Sequence, residues 1–400
     1  MIDRIIITTK DRPELVQRAV DSFRSTGLPI TVYDQSEIRP SYTGVDKLVG
    51  PPEVEVMIDR LASKGFDREL VQWGLVGGHG GYRNVVMLDT IGQQVLSTDD
   101  DTLCEFIGIP DQEERFRYGQ PEPHSRAFAS REEWQKWSIN LPHTTDLISE
   151  HEKYVGQRTQ DGYTFCIVAS GLIGDSAASF NSNLFVTGEE LDRLVNDYEN
   201  MRDSRESLQI VPRPTMCPGS SFLRTMNYSF DNRVELPPFP PNGRGECAVF
   251  AAVLKYIDKT VIAYLPWGVV HVPPEGRQYI SRFGPLNFDE AFYTAASSSG
   301  ARSVVELGKA LVALESLEDQ HAHEMFVAYR EGLNQHLRER IRALLESEQG
   351  SPAWRSDCEG LVQQSEAPNQ ITIYDASTMK QELVMYGRLL LEWPSLRKAV

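Results

Sequence analysis

The chain has no cysteine pairs, no excess of basic residues and no long apolar run. Its five cysteines, Cys104, Cys166, Cys217, Cys247 and Cys358, are scattered. None forms a C-x-x-C pair, and no histidine stands at zinc-site spacing from them. Buried free thiols in a reducing cytoplasm are the expectation. The 40 Lys and Arg are outnumbered by 57 Asp and Glu, for a net charge of −17, which argues against a nucleic-acid partner. A phosphate-bearing substrate stays open, because a metal and a few local arginines supply positive charge. No apolar run approaches the length of a membrane span. Met1-Ile2-Asp3-Arg4 leads straight into a strand pattern without a secretory signal, so a cytoplasmic protein with no transmembrane segment is expected. There is no internal repeat and no long low-complexity tract.

What is present begins with a β-α-β pattern. Residues 4–9 form a β-branched run suited to a strand buried on both faces. Pro13 fits the first turn of a helix, Gly27 stops it, and residues 30–34 read as a second, parallel strand. Residues 35–53 read as loop, 54–64 and 70–76 as helices, and Gly77–Gly81 as a flexible run. A helix carrying Arg83 and Asn84 follows, then a strand at 95–98 that ends in Asp99-Asp100-Asp101. Residues 107–160 are polar and weakly periodic. Strands are expected at 165–169, 261–265 and 269–272, and helices at 189–200 and 248–256. From about 286 the pattern is helical, with a break at Gly350-Ser351-Pro352 and a last helix at about 376–392.

The three aspartates carry the chemistry. Carboxylates at the end of a buried strand are unfavourable unless a positive group accompanies them. A divalent cation held by one or two of them, with substrate phosphate oxygens completing its shell, meets that need. The C-terminal edge of a parallel sheet is also where α/β proteins bind ligands. Strand alternation places Asp99 and Asp101 on one side and Asp100 on the other. Asp101 is the candidate metal ligand, and Asp99 a ribose or metal contact. A solvated acidic turn is the alternative.

Taken in order, these residues resemble the GT-A glycosyltransferases, in particular the inverting family 2 group. Thr8-Thr9-Lys10-Asp11-Arg12-Pro13 is similar to that family's first strand and turn, and Arg83-Asn84 followed by Gly92 and Asp99–Asp101 to its Arg-Asn helix and Asp-x-Asp segment. The likeness covers roughly residues 4–105. It implies a Rossmann-like, mostly parallel central sheet flanked by helices. It assigns Thr8, Thr9, Arg12 and Asp34 to the nucleotide, Arg83 and Asn84 to the donor site, and Asp99, Asp100 and Asp101 to diphosphate and metal. Arg244-Gly245-Glu246-Cys247 resembles the family's Arg-x-Glu-Asp, with Cys247 in place of Asp, and so points to Glu246 as catalytic base. His271, late in the order, matches a third metal ligand used by some GT-A enzymes, with Mn²⁺ or Mg²⁺ as the ion. His79, Trp73 and Trp267 are secondary candidates for substrate contact.

The implied organisation is a donor half at 1–106, an insertion or acceptor-side subdomain at 107–160, an acceptor and catalytic half at 161–285, and a helical C-terminal region at 286–400. The implied activity is sugar transfer from a UDP- or GDP-sugar to a hydroxyl of a glycan, peptide or small molecule. A homodimer through the C-terminal helices is a further expectation. The competing readings are a nucleotidyltransferase or phosphotransferase on the same lobe, and a non-catalytic binding protein.

Overall fold

Fully buried on both faces, Ile5-Ile6-Ile7 starts the first strand of a mixed α/β sheet, each side chain contributing about 1.5–3 kcal/mol. The computed structural model describes residues 1–108, 115–122, 124–176, 184, 187–201, 204–219, 223, 226–243, 245–274, 286–346, 350–367 and 371–400. Its strands are β1 (Arg4–Thr9), β2 (Ile30–Asp34), β3 (Lys47–Val49), β4 (Gln94–Asp99), β5 (Thr102–Gly108), β6 (Arg117–Tyr118), β7 (His124–Ala127), β8 (His143–Thr144), β9 (Thr164–Asp175), β10 (Glu206–Ile210), β11 (Thr215–Cys217), β12 (Asn227–Asp231) and β13 (Thr260–His271). The α-helices are α1 (Pro13–Phe23), α2 (Pro51–Ser63), α3 (Arg68–Val76), α4 (Gly78–Asp89), α5 (Arg131–Ser138), α6 (Leu147–Glu152), α7 (Glu189–Asn196), α8 (Tyr198–Met201), α9 (Glu246–Leu254), α10 (Phe288–Ser299), α11 (Val304–Ala313), α12 (Asp319–Glu346), α13 (Pro352–Glu366) and α14 (Ile373–Ala399).

The central path of the sheet runs β3-β2-β1-β4-β12-β9-β13-β11-β6. Its pairings are parallel through β3-β2-β1-β4, antiparallel on both sides of β12, and parallel again between β9 and β13. The parallel part therefore ends where β12 inserts next to β4.

Several elements differ from the sequence reading. Helix α2 begins at Pro51, inside the expected loop, because its two prolines suit a first helical turn and Glu53 reaches back to the Gly50 N–H. Gly77–Gly81 is not a flexible run; it supplies the cap and first turn of α4. The two strands expected at 261–265 and 269–272 form one, Thr260–His271, whose register against β9 shifts at Val261/Ile262 and again across Pro266, which has no N–H for the ladder. The last helix is longer than expected and continues past Pro394. Strand β5 crosses the expected boundary at 106 and pairs with β13, so the 107–160 segment is joined to the main sheet.

His151, within that segment, is fully buried between Ser229 Oγ (2.9 Å) and Ser170 Oγ (3.0 Å). Burial pushes its pKa down to about 3, from an ordinary 6.5. The unfolded chain takes up this proton more readily than the folded one. The contribution to stability is therefore complete above pH 6.5 and declines as the pH falls toward 3. The urea midpoint should drop between pH 7 and pH 5, and a His151→Gln variant should show a smaller drop.

The C-terminal helices complete the core. Leu307, Leu311, Phe326, Leu383, Leu389 and Trp393 share one buried cluster with Val54, Leu70 and Val85 of the N-terminal half. These apolar faces, where the sequence reading placed a dimer contact, are covered by the same chain. No described helix is long and apolar enough to cross a membrane.

Candidate active site

The parallel register of β1 and β4 sets Thr8 beside Asp99 at the C-terminal end of both strands. A cleft of about 330 Å³ opens there, lined by Thr8, Thr9, Lys10, Asp11, Arg12, His79, Arg83, Asp99, Asp100, Asp101, Met226, Glu246 and His271. Of the catalytic, donor-site and metal residues expected from the sequence, it brings together all but Asp34 and Asn84. Trp73 and Trp267 do not line it.

The three aspartates diverge. Asp99 ends β4, whereas Asp100 and Asp101 occupy the turn before β5, so strand alternation does not govern them. Asp99 Oδ1 accepts from Arg83 Nη2 at 3.0 Å and from Thr8 Oγ1 at 3.4 Å. Asp100 accepts from Thr9 Oγ1 at 2.5 Å and from Arg12 Nη1 at 3.2 Å. Burial and the neighbouring Asp101 charge still push the Asp100 pKa up to about 6. Asp101 Oδ1 lies 3.1 Å from His271 Nε2, and its Oδ2 lies 3.6 Å from Arg12 Nη1. Of the three expected metal ligands, Asp101 and His271 are thus in contact, while Asp99 is hydrogen-bonded to Arg83 and Thr8.

His271 ends β13 and is held by its other nitrogen. Nδ1 contacts the Asp175 backbone carbonyl, which only accepts, so Nδ1 carries a proton. Nε2 then faces the Asp101 carboxylate, and both are buried. A neutral imidazole would set a lone pair against a carboxylate oxygen. The contact therefore requires a cation: a second proton or a metal ion. Burial lowers the His271 pKa, but the Asp101 carboxylate and the Asp175 carbonyl outweigh it and raise it overall.

Arg83 supplies the buried positive charge. Burial works against its ionisation, but Asp99 and the surrounding groups more than offset this and keep it charged. Its guanidinium lies 5.8 Å from the Phe239 ring centroid, and Nε and Nη1 have no hydrogen-bond partner among the described residues. His79, one turn earlier on α4, keeps an exposed edge in the cleft. Burial and the nearby Arg83 and Arg12 lower its pKa against the opposing Glu246 and Asp99 charges, favouring the neutral ring.

Glu246 opens α9 and lines the opposite wall. Arg244 lies outside the described residues. The Glu246 carboxylate is 4.0 Å from the Cys247 thiol. Asp289, which sequence reasoning missed, packs where a Gly245 side chain would sit; Gly245 also has φ 86°, so two constraints select glycine. Burial, with help from the Glu290 and Glu246 charges, pushes the Asp289 pKa up to about 6. The capping box Asn287–Glu290 was the available signal for the helix that carries it.

Two expected contacts are corrected. Asp34 does not face the cleft: one carboxylate oxygen accepts from the Ser36 N–H and hydroxyl, the other from the Tyr42 hydroxyl at 2.6 Å. It braces the chain after β2. Asn84 is fully buried; it donates to the carbonyls of Gly74 and Phe239, both at 2.9 Å, and accepts from the Phe239 N–H at 2.7 Å. It ties α4 to the Pro-rich segment before α9. The glycines of α4 serve the same contact, since a Cβ at Gly80 would collide with the Pro240 carbonyl. Asn84→Ala should destabilise the protein by about 3 kcal/mol in chemical denaturation, because it leaves buried backbone groups unpaired.

Fold and site together define an α/β protein with a carboxylate–histidine–arginine cleft at the edge of its sheet. No protein-family model matches this chain, and no curated protein is significantly similar to it in sequence.

Proposed function

We propose that the protein is a metal-dependent glycosyltransferase of the GT-A type, acting on a nucleoside-diphosphate sugar. The observation that carries this reading is the buried Asp101–His271 pair in the cleft, whose Oδ1 and Nε2 lie 3.1 Å apart with Nδ1 turned to the Asp175 carbonyl. Such a pair suits a divalent ion that takes its remaining ligands from substrate phosphate and water. Among the described residues no group of three His, Cys, Asp or Glu is placed to hold an ion, so on this reading substrate and water would supply the ligands beyond Asp101 and His271. When bound, Mn²⁺ or Mg²⁺ supplies Lewis-acid stabilisation of a diphosphate leaving group.

The chain's own residues provide the rest. Arg83, bonded to Asp99, and Arg12, beside Asp100 and Asp101, offer positive charge to the diphosphate. Glu246 accepts the acceptor hydroxyl proton as that oxygen attacks the anomeric carbon. The bond from the anomeric carbon to the diphosphate oxygen breaks, its electron pair leaves with the nucleoside diphosphate, and the configuration inverts.

A panel of UDP- and GDP-sugars with and without Mn²⁺ tests the proposal. Metal-dependent binding and slow release of nucleoside diphosphate are expected. Release of nucleoside monophosphate would instead indicate nucleotidyl or phosphoryl transfer. Absence of both binding and turnover across the panel would end the transferase reading.

A further inference from the structure

A second and larger cleft, of about 760 Å³, lies between α3 and α14, apart from the site just described. Its floor is Trp73, Val384 and Met385, and its rim carries Gln72, Gln381 and Glu382. The indole of Trp73 is half-buried and held in place, its Nε1 donating to Glu382 Oε2 at 3.2 Å. Asn242 donates to the same oxygen at 3.0 Å. The cations in the cleft are already engaged: Lys380 with Asp319, and Arg388 with Glu315 at 2.8 Å. An anionic ligand thus finds no unpaired cation among the described lining residues. Gln72 and Gln381 are exposed, and neither amide is bonded to another described residue.

A fixed aromatic face suits the C–H face of a sugar ring, and free amides, each a donor and an acceptor, suit its hydroxyls. The volume lies within the range of small-ligand sites. Because the indole is already immobilised, binding sacrifices little side-chain freedom. We infer that the α3–α14 cleft binds a short neutral oligosaccharide through Trp73, Gln72 and Gln381. That this glycan is the acceptor rests on the transferase reading; the binding itself does not.

Calorimetric titration of the full chain with maltotetraose, cellotetraose, mannotetraose and chitotetraose tests this, with sulfated dextran as the anionic comparison. At least one neutral tetrasaccharide should bind. The Q72A/Q381A double variant, altered only at exposed positions, should bind it about tenfold more weakly. Trp73→Ala should abolish binding. Both variants should retain the parent's response to UDP with Mn²⁺. The inference is overturned if no neutral tetrasaccharide binds, if sulfated dextran binds more tightly, or if the double variant binds unchanged. A bound tetrasaccharide in a protein that ignores every nucleotide sugar would overturn the transferase reading and leave this assignment standing.

Discussion

Replacing Asp101 by alanine should remove metal-dependent binding of the sugar nucleotide, weakening it by more than about 100-fold. Loss of a group that only orients a metal ligand typically weakens binding by about 10–100-fold, and a direct ligand exceeds that. Asp101 has no substitute nearby: Asp99 is bonded to Arg83 and Thr8, and Asp100 to Thr9 and Arg12. Alanine also leaves His271 Nε2 without its carboxylate, so the neutral ring becomes the stable form. Titration of UDP and GDP with and without Mn²⁺ reads the effect directly. The His271→Ala variant should lose the same metal response, and the double variant should be little worse than either, because both side chains serve one ion. A melting temperature that still rises with Mn²⁺ and nucleotide in the Asp101 variant would show that the ion binds elsewhere.

Glu246→Gln should lower sugar transfer by roughly 10²–10⁴-fold, the usual contribution of a general base, while donor binding stays intact. Glutamine keeps the size of the side chain but cannot take the hydroxyl proton. The separation matters: the Asp101 change acts on binding and the Glu246 change on turnover, so the two together divide the cleft into its two duties. Undiminished transfer would remove Glu246 from the mechanism.

The parts of this arrangement that were legible in the sequence depend on short-range pattern. The Ile5–Ile7 run, Pro13, and the helix-stop-strand order before Asp99 are local signals, and each became the element it implied. The residues that misled have local chemistry but distant or unpredictable partners. Asn84 looks like a ligand contact in its motif, yet its amide is taken by Phe239, 155 positions away. Asp34 ends a strand as a nucleotide-binding carboxylate would, but Ser36 and Tyr42 occupy both its oxygens. The Asp101–His271 contact joins residues 170 positions apart, and the course of β13 beside β5 brings it about. Spacing could propose both residues; it could not say that Asp101, rather than Asp99, meets the histidine. The glycines after Val76 read as freedom because their constraint, the Pro240 carbonyl, is far off in sequence.

Helix α14 reaches the cleft without touching it. Trp393 Nε1 donates to the Leu236 carbonyl at 2.8 Å, the Tyr386 hydroxyl to the Pro238 carbonyl at 2.9 Å, and Arg397 to the Asn232 side chain at 2.6 Å. Those carbonyls belong to the segment that Asn84 fastens to α4, the helix carrying Arg83. Helix α14 therefore clamps the segment on which the helix of Arg83 rests. Trimming the chain at residue 285 to obtain a minimal catalytic piece would release that clamp, and so would a fusion partner that pulls on the C-terminal turn. For anyone preparing this protein, α14 is part of the foundation of the candidate cleft, and labels or immobilising tags belong elsewhere.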